Sequence, residues 1–485
     1  MRRFVPLYWV FLLLAVDGVA QQKWSLQQCV EQAMKAHLSI SRAEIQAKLS
    51  QINVQQNKWG LLPNLNLSSS GAFNSGLNQD PTTFTRVTES YLSAGMQLQS
   101  SADIFQFFAK RLQYQGTRMD YLAAEADVQK IRYDIGLSTA NAFLQALLAK
   151  QQATIAHLQI EQTLAQVNNT RKLVEAGTLP SINLAQLESQ WALDSSNYIT
   201  AQGNASLSLL ALKTWMNMDA GLPFDIEEPP VESIPVETLA DLQPEYVYEL
   251  ALKNQPQQKS NDLRLMAAKL RNKSAKASRL PALAAFGSLG SNYLSFTQRP
   301  IYNRIITGYQ STGLVADAGN GLYYDVQSPV FRNGDIVGYF KPNTLGKQLT
   351  DNFRKTIGLS LSVPIFNGSS ARLNVERSQL DLQSANLQKT QDNQKLKQDI
   401  YQAHQAASIA LQKFQATQKS VSVSEQTFEF ANKRFNVGML STFDLITSQN
   451  NLLRARLEFA TAQIDFVFKM KVLEYYKGLG LKLTK

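Results

Sequence analysis

The chain says the same thing twice. Thr170-Arg171-Lys172-Leu173-Val174-Glu175-Ala176-Gly177-Thr178-Leu179 returns in altered form as Asn432-Lys433-Arg434-Phe435-Asn436-Val437-Gly438-Met439-Leu440. Ser181-Ile182-Asn183-Leu184 is answered by Thr442-Phe443-Asp444-Leu445, and Leu62-Pro63 with Leu65 and Leu67 by Leu280-Pro281 with Leu283 and Phe286. Self-similarity on this scale makes each copy one structural unit and requires the two to be near-equivalent parts of one assembly. Pro63 to Gly95 is 32 residues, whereas Pro281 to Gly358 is 77. Gly95 to Gly177 is 82 and Gly358 to Gly438 is 80. The stretch ending at each glycine is therefore held to within two residues, and an excess of 45 falls at one place, about 298–352.

The conserved stretches read as helices. Residues 25–59 predict a helix with Ser25 as N-cap, stopped by Gly60 and Pro63. From Ile104 to Ala176 the pattern stays helical without a proline, roughly 72 residues or about 108 Å. Ala142, Ala146, Ala149, Ala153 and Ala156 step along it at heptad spacing, which lets helices approach closely. Gly177 ends this run and a shorter helix returns to Met218. The second half predicts a helix over 244–279, a long one from Gly368-Ser369 to Asn436 with Ala403, Ala407 and Ala410, and a short one from Thr442 to Tyr476. One long helix matches two short ones end to end, so the expected arrangement is four columns, two continuous and two stacked.

Between the helices the period changes to two. Leu65, Leu67, Ser69, Gly71 and Phe73 alternate with Asn66, Ser68, Ser70 and Ala72, and Leu92, Ala94, Met96 and Leu98 with Ser93, Gly95 and Gln97. A third strand follows Pro281, and Ile357, Leu359, Leu361, Val363 and Ile365 mark a fourth. Runs of about ten alternating residues suit strands crossing an outer membrane. Pro63, Pro281 and Pro364 are read as strand-entry turns. In the excess segment, seven aromatic residues including Tyr302 and Tyr309 accompany Asn333-Gly334, which reads as a hairpin turn. Residues 219–245 hold five prolines and eight acidic residues with no Lys or Arg, the composition of a strap or linker.

The hydrophobic content is 44%, yet no internal stretch reaches the roughly 18–20 apolar residues of a spanning helix. Arg2-Arg3, the apolar run Phe4 to Val16 and Gly18-Val19-Ala20 make a secretory signal peptide over 1–20. The expected organisation is then a first repeat over 21–218, an acidic linker over 219–243 and a second repeat over 244–485. Cys29, the only cysteine, lies in a helical pattern and excludes an intrachain disulfide. The net charge of +10 is spread along helices without a basic-aromatic patch, so no nucleic-acid partner is expected. His37, His157 and His404 are scattered, and no catalytic, metal or cofactor motif stands out.

Four strands cannot close a barrel, and lipid does not tolerate open strand edges. Eight strands from two chains give an interior filled by side chains, whereas twelve from three leave a lumen. The reading is an α+β membrane protein: a trimeric 12-stranded β-barrel continuous with a long periplasmic α-helical barrel. A periplasmic coiled-coil scaffold is the alternative, and it leaves the alternating strands unexplained.

Across essentially the whole mature chain, the sequence resembles the TolC-type outer-membrane factor family. The resemblance is carried by Leu62-Pro63 and Leu280-Pro281, by the run Gly358-Leu359-Ser360-Leu361-Ser362-Val363-Pro364-Ile365-Phe366-Asn367-Gly368, and by the Arg434-Phe435-Asn436-Val437-Gly438 tip with Asp444-Leu445. It implies a homotrimer in outer-membrane lipid that extends into the periplasm. That trimer would be the passive exit duct of a tripartite efflux or type I secretion system, with a periplasmic adaptor and an inner-membrane transporter as partners. Gly177, Leu179, Gly438 and Leu440 would lie at adaptor-facing helix tips. The family rings its aperture with acidic residues just beyond the second tip. Asp444 matches the first such position, Thr447 stands at the second, and Leu440 replaces a basic residue that locks some members.

Overall fold

The structure is a computed structural model that describes residues 23–79, 86–231, 234–295, 299–341 and 343–478. The proposed signal peptide lies outside the described residues, as do Glu232, Ser233 and Gln298 at positions of the linker and excess segment. The chain forms two compact units, one made of 56–112 and 273–375, the other of the remaining residues. Each unit draws on both repeats.

In the helical unit the duplication extends to element length. Helices α1 (Leu26–Ala36) and α5 (Pro244–Asn254) have 11 residues each, and α2 (Leu38–Trp59) and α6 (Pro256–Ala277) have 22 each. The long α3 (Ala109–Glu175) and α8 (Ser370–Asn436) both have 67, about 100 Å apiece, and the returning α4 (Ser181–Trp215) and α9 (Thr442–Tyr476) both have 35. Ser25 caps α1 through a reciprocal capping box with Gln28.

Two expected helices are each broken once. His37 is extended (ψ 128°) between α1 and α2, and its Nδ1 accepts from Ser39 N–H at 3.1 Å. Gln255 is extended at the matching place before Pro256, because the residue before proline is driven out of the helical region. Other helix ends meet these breaks. Trp215 at the end of α4 stacks on His37, and Asn217 donates to the Ala36 carbonyl. The Gln255 amide donates to the Tyr475 and Tyr476 carbonyls at the end of α9. The short helices thus abut as stacked columns, joined at the two interruptions.

Contacts order the upper helices as α2–α3–α6–α8. Glu44 pairs with Arg132, Asp127 and Asp120 with Arg264 and Arg271, and Asn261 donates to Asp392. The main core lies at mid-length, where Leu26, Cys29 and Val30 of α1 meet Phe143, Leu144 and Leu147 of α3, Leu212 and Met216, and Ile464 and Val467. Cys29 is fully buried, and burial pushes its thiol up to about 12. The acidic segment straps this core. Phe224, Ile226, Val231 and Ile234 point into it, and Trp24 forms a parallel bridge with Ile226. Lys150 ties the strap down through Asp225 and Glu228, both at 2.6 Å.

The other unit holds an antiparallel four-stranded sheet in the order β1 (Asn64–Gln79), β2 (Arg86–Phe105), β3 (Ala282–Ser295) and β6 (Arg354–Ser362). A separate two-stranded ribbon pairs β4 (Arg299–Asp317) with β5 (Tyr323–Phe340). Strand β2 runs on to Phe105, so α3 starts later than its periodicity suggests. Phe107 and Phe108 then take positive φ, as Gly368 and Ser369 do at the same place in the second repeat. Strand β6 stops at Ser362; Pro364 therefore follows a strand rather than opening one, while Pro63 and Pro281 each stand one residue before theirs.

The ribbon's turn is also not where Asn333-Gly334 suggests. The chain reverses over 318–322, and Asn333-Gly334 sits inside β5 at a register shift opposite Tyr302 and Arg304, making it a bulge. The short helix α7 (Leu345–Asp351) covers the end of β3 that β6 leaves bare. There the Gln348 side chain accepts from Leu294 N–H and donates to Leu294 C=O, both at 3.0 Å, standing in for a missing strand.

Candidate functional site: the strand faces and the helix tips

The sheet register decides what each strand face can do. Asn66, Gln99, Ser288 and Thr356 stand side by side across all four strands, and Ser68, Gln97, Gly290 and Arg354 form another such row. On the opposite face Leu67, Leu98 and Leu289 align, with Lys355 ending their row on β6, and Ala102, Ala285 and Leu359 form another. Leu65, Leu67, Phe73, Leu359 and Leu361 are all exposed. One face is thus polar and fit for water, the other apolar and bare, the alternation of a barrel wall in lipid. The polar face contains one tight fit. Phe286 lies opposite Gly358, and a Cβ there would stand 2.7 Å from the ring. Strands β1 and β6 end the sheet, so each leaves an edge of backbone groups without a ladder partner within it.

The two helix tips share one backbone design. Gly177 has φ +74° and Gly438 +77°. Gly177 N–H donates to Val174 C=O and Thr178 N–H to Leu173 C=O, both at 2.9 Å. Gly438 N–H to Phe435 and Met439 N–H to Arg434 repeat the pattern at the same distances. Both are Schellman caps, which satisfy the last carbonyls and need a left-handed residue where glycine costs least. The turns differ in their exit. Pro180 opens α4 without a side-chain cap, while Ser441 Oγ accepts from Asp444 N–H at 3.1 Å and donates to the Asp444 carboxylate at 2.7 Å.

Asp444 is exposed and serves this cap in the first turn of α9, where the helix dipole favours a negative charge. Thr447 is exposed one turn on, its hydroxyl returned to the Phe443 carbonyl. Leu179 and Leu440 are half-buried. The exposed apolar side chains near the tips are others: Ile182, Val437, Met439 and Phe443. They carry no period, which is why pattern reading passed them over; their one signal is being large and apolar beside a turn.

Behind the tips lies a buried polar pin that the sequence reading missed. Asp194 of α4 is 2% exposed. Its carboxylate accepts from Thr163 of α3 at 2.6 Å and from Gln190 at 2.8 Å, and Gln449 of α9 donates to Thr163 at 2.8 Å. The Asp194 carboxylate ties α4 to α3 and the Thr163 hydroxyl extends the link to α9, so one chain of bonds holds three helices from both repeats, since buried polar groups are costly unless bonded. Two of the three histidines are engaged in ring packing: His37 on Trp215, and His157 edge-on to Tyr198.

The profile of the outer membrane efflux protein family matches residues 29–217 and 247–467. The outer membrane protein TolC of Escherichia coli (strain K12) is 20% identical over 477 residues, 96% of this chain and 84% of that protein. The crystal structure of CusC superposes with a TM-score of 0.72 at 14% identity, covering 95% of this chain and 93% of that one. VceC of Vibrio cholerae superposes with a TM-score of 0.71 at 16% identity, covering 94% and 97%. The strand faces, the duplicated tips and a match over both repeats lead to one assignment: the chain belongs to the outer membrane efflux protein family.

Proposed function

We propose that three copies of this chain form the exit duct of a tripartite efflux or secretion machine. The observation that carries the reading is the four-stranded sheet with one polar face, one bare apolar face and two open edges. Lipid forbids open edges, and three sheets joined β6 to β1 close twelve strands around a polar bore. The polar rows of Asn, Gln, Ser and Thr then line the passage, and the apolar rows meet the acyl chains. A coiled-coil scaffold has no use for such a sheet.

The tips, with Gly177 and Gly438 at the turns and Ile182, Val437, Met439 and Phe443 exposed around them, form the surface offered to a periplasmic adaptor. An inner-membrane transporter supplies the energy; the duct itself does no chemistry. Asp444 places one carboxylate per chain at the aperture. Purified protein in planar bilayers is expected to form conducting, cation-preferring channels, and Asp444→Asn is expected to weaken that preference without changing assembly. A protein silent at every voltage would overturn the duct, and unchanged selectivity would remove Asp444 from the aperture.

A further inference from the structure

We infer that the polar face of the sheet carries an anion-binding site, centred on Arg354, for the carboxylate or phosphate group of a solute in transit. It deepens the duct reading above, which turns this face toward the bore.

Charge is the first observation. Two adjacent cations part at the start of β6. Arg354 pairs with Gly290 in the row of Ser68 and Gln97, on the polar face, and Lys355 pairs with Leu289 in the row of Leu67 and Leu98, on the apolar one. The alternation of side chains along a strand fixes this division. Lys355 is occupied on its own side, with its ammonium 5.4 Å from the Phe353 ring centre. Arg354 is exposed. The other charged side chain described on the polar face is Asp103, which pairs with Lys110. Asp103 stands opposite Ala284, six residues from Gly290 or about 20 Å along the strand. One positive charge is therefore left unneutralised at the Arg354 end of this face.

Shape is the second, and it is independent of charge. Gly290 separates Gln97 from Arg354 in their row, so two long donors flank a position without a side chain. Their backbones lie two strand spacings apart, about 9.6 Å. The Gln97 stem leans over this gap: a Cβ on Gly290 would stand 3.6 Å from its Cγ and 3.3 Å from the Met96 carbonyl oxygen. Around the gap opens a hollow of about 560 Å³ lined by Ser68, Gln97, Ser288, Asn292, Asn352 and Arg354. Guanidinium, amide and hydroxyl groups can all donate, and no carboxylate is among the described residues of the lining. Such a wall satisfies the oxygens of an anion and repels none of them. The planar fork of a guanidinium matches a carboxylate or phosphate in particular.

In a duct of three chains the site occurs three times around one circumference. Twelve strands about 4.8 Å apart, tilted by about 40°, close to a backbone radius of about 12 Å. Side chains narrow the bore further, and the Debye length at 0.1 M salt is about 10 Å. Three guanidinium charges then act at the axis as well as at the wall, and a multivalent anion feels more than one of them.

The test is binding of, and block by, inorganic tripolyphosphate, using the full-length protein purified in detergent. Isothermal titration is expected to show binding that Arg354→Gln weakens about tenfold or more, the usual cost of losing hydrogen bonds to a charged group. Arg354→Lys, which keeps the charge, is expected to retain most of the binding, and Lys355→Gln all of it. In planar bilayers the same anion is expected to block the current, at a higher concentration in Arg354→Gln and at an unchanged one in Lys355→Gln. Equal binding by the parent and Arg354→Gln would overturn the site, as would an equal loss in Lys355→Gln or in Arg354→Lys. Binding that needs Arg354 in a protein silent at every voltage would overturn the duct and leave the anion site standing. Binding that needs Arg354 beside a current that tripolyphosphate never blocks would overturn its place in the path of the solute.

Discussion

At the scale of single residues, glycine and aspartate carry roles that their letters alone do not reveal. Gly358 was visible as part of an alternating strand, but the reason for a glycine there is the Phe286 ring across the β3–β6 pair. Gly358→Val would drive two methyl groups into that ring, and overpacking of this kind typically costs about 1–3 kcal/mol. Thermal unfolding of the purified protein should show that loss, and Phe286→Ala in the same chain should recover most of it. A Gly358→Val protein as stable as its parent would mean that the two positions are not opposed. Gly177 and Gly438, by contrast, were fully legible: a glycine after a long helical run predicts a left-handed cap, and both tips have one. Asp194 was illegible, because nothing in the sequence around it distinguishes a buried acid from a surface one; its burial depends on Thr163, 31 residues away, which in turn accepts from Gln449, 286 residues from Thr163.

At the scale of elements, the acidic strap and the excess hairpin show where composition informs and where it misleads. An acidic proline-rich stretch suggested a strap, and the structure adds what holds it. Burial pushes the Asp225 carboxyl up, but the Lys150 ammonium, the Ile226 N–H and Lys23 outweigh it and hold the group below its ordinary value. A lowered carboxyl stabilises the fold above its unfolded pKa, and that contribution fades as pH falls through the folded value. Strap opening, followed by hydrogen exchange over 219–231, should therefore begin only below about pH 4, and Lys150→Met should move its onset to higher pH. An onset that Lys150→Met leaves in place would show that the ion pair does not hold the strap.

The hairpin carries the opposite lesson. Asn-Gly favours a tight turn, yet here it makes a bulge, because the turn is supplied instead by 318–322 with Gly319 and Gly321 at positive φ. The two helix breaks escaped notice for a related reason: a one-residue interruption hardly disturbs an apolar period, although Pro256 was a signal for one of them. Function separates within the excess segment too. Replacing the ribbon of 299–341 by a short loop should leave assembly intact, since β4 and β5 pair only with each other. Extending the deletion through α7 should impair it, because Gln348 then no longer covers the β3 edge. Equal assembly of both deletions, judged by the yield of folded outer-membrane protein, would contradict that role for α7.

At the scale of the whole molecule, the architecture was largely written in the duplication. Landmark spacings that agree within two residues predicted helices of nearly equal length, and the structure returns lengths of 11, 22, 67 and 35 residues twice. Chain number is different in kind, since one chain shows two open sheet edges without showing what covers them. Closure of those edges is the central claim, and the count of chains in the detergent-extracted particle tests it most directly. Native mass spectrometry of the full-length protein extracted from outer membranes is predicted to give a mass of three chains. A particle of one, two or four chains would contradict the twelve-stranded duct.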